Sequence, residues 1–559
     1  MDKNNTRIAL MLVSIIVAFP LSLRAQVTPA ATKAVNSIDP DRIKADMTYL
    51  ADDLLEGREP GTNGFALAST YVASQFKSIG LTPGVNRTSF VQPVQLLKGA
   101  VERKQSSLTL ISKGREVNLK FDDDFILNPN LVDLRAEVSV SLVFVGFGVH
   151  APELGYDDYQ NIDARNKIVV YFNQAPESFP SNERAYFSSE SVKYEEAVSR
   201  GAIGVISMQL PGDQRTSWEA TVRRSKQGRI YWADKKGKAQ NTFEGLKVTV
   251  TFNPEKAEKL FVNAGQKPDV VIQSLKANKP RSFELNMDAR IKVVTTTKAI
   301  SSSNLIGVVP GSDPVLKNEY VVYAAHLDHF GIGEPVQGDS IYNGAHDNAS
   351  GTSILLEIAR TFKRLEVPPK RSIIIAVVTG EESGLLGSDY FANYPTVRSE
   401  SIVANFSIDM PFFFHPVLDI VPYGAQHSSL SEPLGVAAKY LNLGIGPDPF
   451  PEQVVFIRSD HYSFIRKGIP SLFIKSGFKT TPDDQVDRSI SDVAWRKTTY
   501  HTPQDDMSQP FNYEGAATHV KINFLTGYLV ADKAERPTWK YGDFFGGKFG
   551  MKSGTPDQR

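Results

Sequence analysis

The feature that most limits the fold is a regular alternation of short apolar runs and amphipathic helices after Asn304. Apolar runs of strand length occur at 305–309, 320–325, 372–378, 402–408, 454–457 and 471–474. Apolar residues at helical spacing lie between them, and a last helix is predicted at 513–531. Buried strands that alternate with helices indicate a mostly parallel sheet with helices on both faces, so we expect an α/β fold.

Polar side chains of the kind that bind metals directly follow three of these strands. They are His326, the adjacent pair Glu381 and Glu382, and Asp409. The carboxyl ends of parallel strands meet at one edge of a sheet, and open α/β folds place their ligands at that edge. We therefore expect these four side chains to lie close together.

Two further candidates are predicted in loops. Asp347 precedes a predicted helix at 350–365, and the N–H groups at a helix entrance favour a nearby carboxylate. His501 lies in the sequence YHTPQDD, where Pro503 disfavours a helix. Taken singly, each of these residues is more often structural than functional. Together they supply two imidazoles and three carboxylates, a set that separate structural roles do not explain.

This donor set suits zinc or a similar cation, and sulfur ligands are excluded because the chain contains no cysteine. One catalytic zinc ion uses three protein ligands, so five candidates fit two ions that share a carboxylate. Three carboxylates and one hydroxide would balance the charge of two Zn²⁺, which limits the cost of desolvation. Glu381 adjoins a ligand but is not needed as one, so it is the expected proton acceptor from the bound water.

The candidates occur in five motifs in the order AHLDHFG, GAHDNASG, TGEESGLLGS, SIDM and YHTP. Over 304–531 this ordered set resembles the M28 family of zinc aminopeptidases, which have a di-zinc α/β fold. The resemblance implies two Zn²⁺ per chain and peptide substrates. It also implies hydrolysis of the N-terminal peptide bond, with a metal-bridging hydroxide as the nucleophile.

The resemblance assigns the metal ligands by position. Asp347 would bridge the two ions. His326 and Asp409 would hold one ion, and Glu382 and His501 would hold the other.

Other residues receive roles in the same way. Glu381 would be the general base, Tyr500 would assist the oxyanion, and Asp328 would orient the imidazole of His326. Structural roles are expected for His329 and His346. RSDHYSF at 458–464 also resembles a recurrent motif of the family, but no role is assigned to its Asp460, and a structural role is expected for its His461. The aromatic run 412–414 would lie in the core or line a side-chain pocket, and the core is favoured.

Other functions stay open. A carboxypeptidase of the same metallopeptidase class would need a cation for the substrate carboxylate, which Arg58 or Arg458 would supply. Arg58 lies in the loop EGREPGTNG, which reads equally as a charged surface turn. A receptor or scaffold that kept the fold without the activity, or a single-zinc glutaminyl cyclase, are further alternatives.

The chain of 559 residues is too long for one hydrophobic core, so at least two domains are expected. Short strands with few helices predict an inserted β-rich domain, and GFGVHAPELGYDDY, KIVVYF and KYEEAVSRGAIGVISM resemble a protease-associated domain. Arg223 and Arg224 in this region are expected on a solvated face. The predicted organisation is a signal peptide at 1–25, the peptidase domain at 39–136 and 287–535, the insert at 137–286, and a loosely attached tail at 536–559.

The N-terminus is typical of exported proteins. Lys3 and Arg7 precede an apolar run at 8–23, and Ala25 has the small side chain found before a cleavage site. We expect a bacterial periplasmic or secreted protein; an uncleaved N-terminal anchor is the alternative. No later segment is long and apolar enough to cross a bilayer. The balance of 62 Lys+Arg against 62 Asp+Glu disfavours nucleic acid as a partner.

Overall fold

The structure is a computed structural model that describes residues 27–211, 217–481, 483–484 and 486–550. The predicted signal peptide at 1–25 lies outside the described residues. Within the described ranges, no helix combines the length and the apolarity that a bilayer crossing requires.

A central sheet carries the alternation predicted after Asn304. Tyr320–His326 lies between Ser372–Val378 and Ile402–Ser407, and all three strands are parallel. Ser471–Ser476 extends the parallel sheet beyond Ile402–Ser407. The predicted α/β fold with a mostly parallel sheet is confirmed. The boundaries of the strands predicted at 320–325, 372–378, 402–408 and 471–474 are correct to within two residues, whereas the strand predicted at 305–309 is the end of the much longer Ser282–Val309.

Antiparallel strands close both ends of this sheet. Ser282–Val309 runs against its neighbour at one end, and Asp419–Tyr423 runs against Ser471–Ser476 at the other. The predicted strand at 454–457 is wrong, because Val455–Ile457 forms a 3₁₀ helix. Its apolar residues are buried against the second domain, so the short apolar run reflects packing between domains and not sheet pairing.

Helices cover both faces of the sheet. Within Tyr320–His326, Val321 and Tyr323 join one core, whereas Val322 and Ala324 join another on the opposite face. This alternation is that of a strand buried on both sides. The helices on the first face are Pro29–Val35, Pro40–Leu50, Asn63–Ile79, Ser350–Lys363, Ser431–Tyr440 and Tyr513–Asp532. Those on the second face are Leu386–Asn393 and His461–Ile465.

A second sheet forms a separate domain with its own core. Four of its strands are parallel, in the spatial order Arg135–Val145, Ile168–Phe172, Gly204–Met208 and Val248–Phe252. The antiparallel strands of this sheet are Ser107–Ser112, Arg115–Asn118 and Phe125–Leu127. Its helices are Ser181–Ser188, Glu190–Ser199, Trp218–Lys226, Glu258–Phe261 and Pro268–Lys276. The second sheet therefore begins at Ser107, upstream of the predicted start at 137.

One long strand belongs to both sheets. Ser282–Val309 has 28 residues; its first half pairs with Arg135–Val145 and its second half pairs with Val91–Val101. This continuous hydrogen-bonded ladder joins the two domains directly. The remaining short strands are Thr82–Pro83, His150–Ala151, Tyr156–Asp157, Arg229–Trp232, Gly331–Val336, Asp339–Tyr342 and Gly444–Ile445.

The tail is attached more firmly than predicted over its described part, which ends at Gly550. Phe544–Phe549 forms a helix, and the Phe545 ring is fully buried against Phe456 and His427. His427 Nδ1 donates to Asp543 Oδ2 at 2.6 Å. The prediction of a loosely attached tail is wrong here, because the aromatic residues of this segment fill a gap between the domains.

Candidate metal centre

The predicted ligands meet at the carboxyl edge of the central sheet. The middle strand ends in His326, and its two parallel neighbours are followed by the pair Glu381 and Glu382 and by Asp409. Since neighbouring parallel strands end at the same edge, one imidazole and three carboxylates are delivered to one place.

Asp347 lies between two histidines. His326 Nε2 is 3.3 Å from Asp347 Oδ1 and 3.5 Å from Asp409 Oδ1. His501 Nε2 is 3.1 Å from Asp347 Oδ2 and 3.2 Å from Glu382 Oε2. Each oxygen of Asp347 thus faces one half of the cluster, and the structure brings the five predicted metal ligands together.

The backbone around Asp347 is held by a carboxylate that the sequence did not reveal. Asp505 is fully buried and accepts hydrogen bonds from the N–H groups of His346 and Asp347, each at 2.9 Å. Asn348 Nδ2 donates to the carbonyl of Ile408 at 3.0 Å, just before Asp409. Nothing in YHTPQDD distinguishes Asp505 from its neighbour Asp506, so the sequence alone could not predict that Asp505 holds this backbone.

Asp328 is fully buried and holds the loop that carries the two glutamates. Its Oδ1 accepts from the N–H of Glu381 at 3.1 Å, and its Oδ2 accepts from the N–H of Glu382 at 3.4 Å. The backbone carbonyl of Asp328 lies 3.2 Å from His326 Nδ1, closer than the carboxylate oxygen at 3.9 Å. The side chain of Asp328 therefore positions the glutamates, and its backbone carbonyl faces His326.

The ligand atoms form two groups, and the atoms within each group lie within 4.8 Å of one another. One group is His326, Glu381 and Asp409; the other is His329, Asp347 and Glu382. Burial raises the pKa of Glu381 well above its ordinary value and raises the pKa of Glu382 to about 7. These carboxylates are hard to ionise next to one another, so nearby cations would stabilise their charged forms.

The sequence predicts a structural role for His329, but the structure places it in the cluster. Its ring is buried, and its Nδ1 donates to Glu382 Oε1 at 2.6 Å. Burial lowers the pKa of His329 to about 4, so the imidazole is neutral at physiological pH. The spacing HLDH, with His329 three residues after His326, was the available signal.

His346 is separate from the cluster and lies among aromatic rings. The ring centroids of Phe412, Phe413, Phe414 and Trp495 are 5.0 to 5.7 Å from its own. Phe412 and Phe413 are buried, so the aromatic run packs in the core around His346.

His461 and Asp460 are both fully buried. The His461 ring packs on Phe473 at 5.1 Å, and burial lowers the pKa of His461 to about 3. Burial also raises the pKa of Asp460 to about 7. The packing of His461 agrees with a structural role.

Tyr500 lies directly against His501. Their rings stack at a centroid distance of 3.6 Å, and Tyr500 Oη accepts from Arg458 Nη2 at 2.9 Å. Burial raises the pKa of Tyr500, so its phenol keeps its proton. Arg458 is one of the two cations considered for a substrate carboxylate, and here it already binds Tyr500.

Arg58, the other cation considered, is buried and not on a surface turn. Its Nε donates to Leu327 O at 2.7 Å, and its Nη2 donates to Gly344 O at 3.0 Å. Its Nη1 donates to Asn343 O at 2.5 Å and to the carbonyl of Leu50. The predictions of a surface turn or a substrate contact are both wrong, because backbone carbonyls from three segments occupy the guanidinium.

Arg224 reaches the cluster from the second domain. It lies on Trp218–Lys226, and its Nη2 contacts His501 Nδ1 while its guanidinium lies 5.3 Å from the ring centre of Phe330. A cavity of about 470 Å³ opens between the two domains at this point, and Glu382 lies in its wall. Arg224 is exposed, as predicted for a solvated face, and it also touches a predicted metal ligand.

The residues present fit bound zinc. His326 Nε2 and Asp409 Oδ1 are buried and have no hydrogen-bond partner among the described residues. A cation would satisfy both atoms, and imidazole nitrogen and carboxylate oxygen are zinc ligands. The buried carboxylates also need positive charge to ionise, as their raised pKa values indicate.

Comparisons with known proteins agree with this site. A family model described as peptidase family M28 matches residues 304–526, which contain every predicted metal ligand. A probable zinc metalloprotease from Pyrenophora teres f. teres is 38% identical over 274 residues, covering 43% of this chain and 53% of that protein. The aminopeptidase YwaD from Bacillus subtilis is 29% identical over 149 residues, and the aligned part covers 26% of this chain and 30% of YwaD. The chain thus spans about half or less of the length of these relatives.

A solved structure has a similar fold. The aminopeptidase from Aneurinibacillus sp. strain AM-1 aligns with a TM-score of 0.52 and 20% identity, and the alignment covers 90% of this chain and 97% of the Aneurinibacillus chain. At this level of identity the similarity describes the fold alone. The model of peptidase family M28 thus matches the segment 304–526, which contains the five ordered motifs.

Proposed function

We propose that the chain is a zinc-dependent aminopeptidase that hydrolyses the N-terminal peptide bond of peptides. One observation carries the proposal: His326 and His501 contact different oxygens of Asp347, and each also contacts a second carboxylate, that of Asp409 or Glu382. This convergence lies within the segment that matches peptidase family M28.

His326 and Asp409 would hold one ion, Glu382 and His501 the other, and Asp347 would be shared. The contacts of each histidine with a different oxygen of Asp347 support this division. Zinc bound there would supply positive charge that activates water and polarises the scissile carbonyl. The count of two ions rests on the five convergent ligands, since one catalytic zinc uses three.

Glu381 is the proposed general base. Its raised pKa, caused by burial, suits a group that must accept a proton from water and return it to the leaving amine. The hydrogen bond from its N–H to Asp328 fixes the loop on which it lies. Glu382 is held by His329, so the two adjacent glutamates have different partners and can serve different roles.

Tyr500 is the proposed donor to the developing oxyanion. Its phenol is protonated, and its stacking on His501 keeps the hydroxyl group at the site. The hydrogen bond from Arg458 to Tyr500 Oη favours negative charge on that side of the cluster.

We also propose that the protein is exported and that residues 1–25 are removed as a signal peptide. The inserted domain, predicted at 137–286 but with a sheet that begins at Ser107, would be a protease-associated domain. The flanking segments, predicted at 39–136 and 287–535, would form the peptidase domain. N-terminal sequencing of the mature protein from the periplasm and the culture medium tests the export, and an N-terminus at Met1 would contradict it.

A peptide library tests the activity. Each peptide is offered with a free N-terminus, with an acetylated N-terminus and with a C-terminal amide, and the Glu381→Gln variant serves as the inactive control. An aminopeptidase cleaves the free and the amidated peptides from the N-terminus and rejects the acetylated ones. Cleavage of acetylated peptides together with rejection of the amides would show a carboxypeptidase and overturn the proposal.

A further inference from the structure

The interdomain cavity contains three cations with different surroundings. Lys98 Nζ is 3.0 Å from Glu59 Oε1, and Arg229 Nη2 is 3.4 Å from Glu190 Oε2. Arg224 has no carboxylate within ion-pair distance in the part of the chain that the structure describes. Among the residues that the structure describes, Arg224 is therefore the cation of this cavity without a carboxylate partner.

The contact between Arg224 and His501 is compatible with only one form of the imidazole. A guanidinium has donors and no acceptor, so His501 Nδ1 must accept, and the ring proton must lie on Nε2. Nε2 is also the atom that faces Asp347 and Glu382. A histidine that binds a metal through Nε2 carries its proton on Nδ1, which is then a donor like the guanidinium. The N–H of His501 Nδ1 and the N–H groups of Arg224 would then face each other as two donors and repel. Zinc on His501 would therefore break the contact between His501 and Arg224.

The released guanidinium would stay beside the reaction site. Arg224 Nη2 contacts Nδ1 of the His501 ring, whereas the carboxylates of Asp347 and Glu382 contact Nε2 of the same ring. About the width of one imidazole ring therefore separates the guanidinium from these carboxylates. An extended peptide advances about 3.5 Å per residue. A carboxylate one or two residues past the scissile bond would therefore reach Arg224 without moving the second domain.

We propose that Arg224 binds the free α-carboxylate of short peptides, and that di- and tripeptides are the preferred substrates. This rests on the proposed aminopeptidase function, because it assigns the far end of the same substrate. Arginine suits the task because its planar fork matches the two oxygens of a carboxylate. The inserted domain would then set substrate length, since it carries the helix with Arg224.

A matched library tests this. It contains X-Gly dipeptides with every residue at X, each as the free acid and as the C-terminal amide, together with X-Asp amides. The wild-type protein, Arg224→Gln and the control Arg223→Gln are assayed with zinc bound. Arg223 is the neighbouring arginine of the same helix, and of the two arginines Arg224 is the one that contacts His501.

We expect the wild-type protein to prefer the free acids over the amides by about 10- to 100-fold, mainly through KM. Arg224→Gln should lose this preference, because its kcat/KM should fall much more on the acids than on the amides, and Arg223→Gln should behave like wild type. Arg224→Lys should keep part of the preference, because the charge remains but the fork is lost.

Three results would overturn the proposal. One is an equal loss on acids and amides in Arg224→Gln, which would mean that Arg224 acts only through His501. Another is a preference that survives in Arg224→Gln. The third is Arg224-dependent cleavage of X-Asp amides without a preference among the X-Gly peptides, which would assign Arg224 to an acidic side chain instead.

Calorimetry separates this proposal from the proposed activity. A dipeptide analogue with a reduced scissile bond, as acid and as amide, is titrated into zinc-loaded wild-type and Arg224→Gln protein. Tighter binding of the acid only in the wild-type protein supports the role of Arg224, even if turnover shows a different reaction. Equal binding of acid and amide in the wild-type protein would refute it.

Discussion

Replacing Arg58 with lysine tests how the fold holds the metal centre. The guanidinium donates to four backbone carbonyls. One of them belongs to Leu327, next to His326, and two belong to Asn343 and Gly344, which precede Asp347. Lysine keeps the charge but has all its donors on one atom, so we expect at least two of these bonds to be lost. At about 1.5–3 kcal/mol for a hydrogen bond to a charged group, Arg58→Lys should cost about 3–6 kcal/mol.

Thermal unfolding followed by circular dichroism and zinc content after dialysis measure the two consequences. We expect Arg58→Lys to unfold at a lower temperature and to retain less zinc than wild type. The control is Arg87→Lys, since Arg87 is exposed, and it should match wild type in both assays. If Arg58→Lys kept the wild-type midpoint and full zinc, the inference that Arg58 fixes these loops would be refuted.

Three other predictions concern single side chains. Glu381→Gln should keep its zinc but lose about 10²–10⁴-fold in kcat, because proton transfer is removed; a kcat near wild type with metal in place would exclude Glu381 as the base. His501→Ala should lose zinc measured by elemental analysis, whereas His329→Ala should lose less, since the hydrogen bond of His329 to the predicted ligands goes to Glu382 alone; the reverse order would make His329 the ligand. Burial lowers the pKa of His519 to about 3, whereas an unfolded histidine titrates near 6.5, so acid protonates the unfolded state first. Stability should therefore fall as the pH drops below about 6.5, by about 2–3 kcal/mol at pH 4.5 through this residue. Urea unfolding of His519→Gln should lack that part of the loss, and identical pH profiles would contradict the assignment.

The arrangement of the central sheet and of the five ligands could be predicted because both follow from local rules. Apolar runs of strand length mark buried strands, and parallel strands end at one edge. His326 and Asp409 therefore come together wherever the strands that carry them are neighbours. The run at 454–457 shows the limit of this reasoning, because apolar residues buried between domains look like a strand.

The residues that support the site could not be predicted in this way. Arg58 turns inward to bind carbonyls more than 260 positions away along the chain, and a loop rich in glycine and charge gives no sign of it. Asp505 acts on the backbone of His346 and Asp347, and its neighbour Asp506 has the same chemistry. Arg224 reaches His501 from the second domain, which the long shared strand joins to the first. Each of these contacts is fixed by tertiary structure and has no periodicity in the sequence.

The arrangement of ions around Asp347 is tested most directly by anomalous diffraction at the zinc edge on crystals of the zinc-loaded protein. We expect two peaks on either side of Asp347, one beside His326 and Asp409 and the other beside Glu382 and His501. A single peak, or zinc bound away from Asp347, would contradict the di-zinc site.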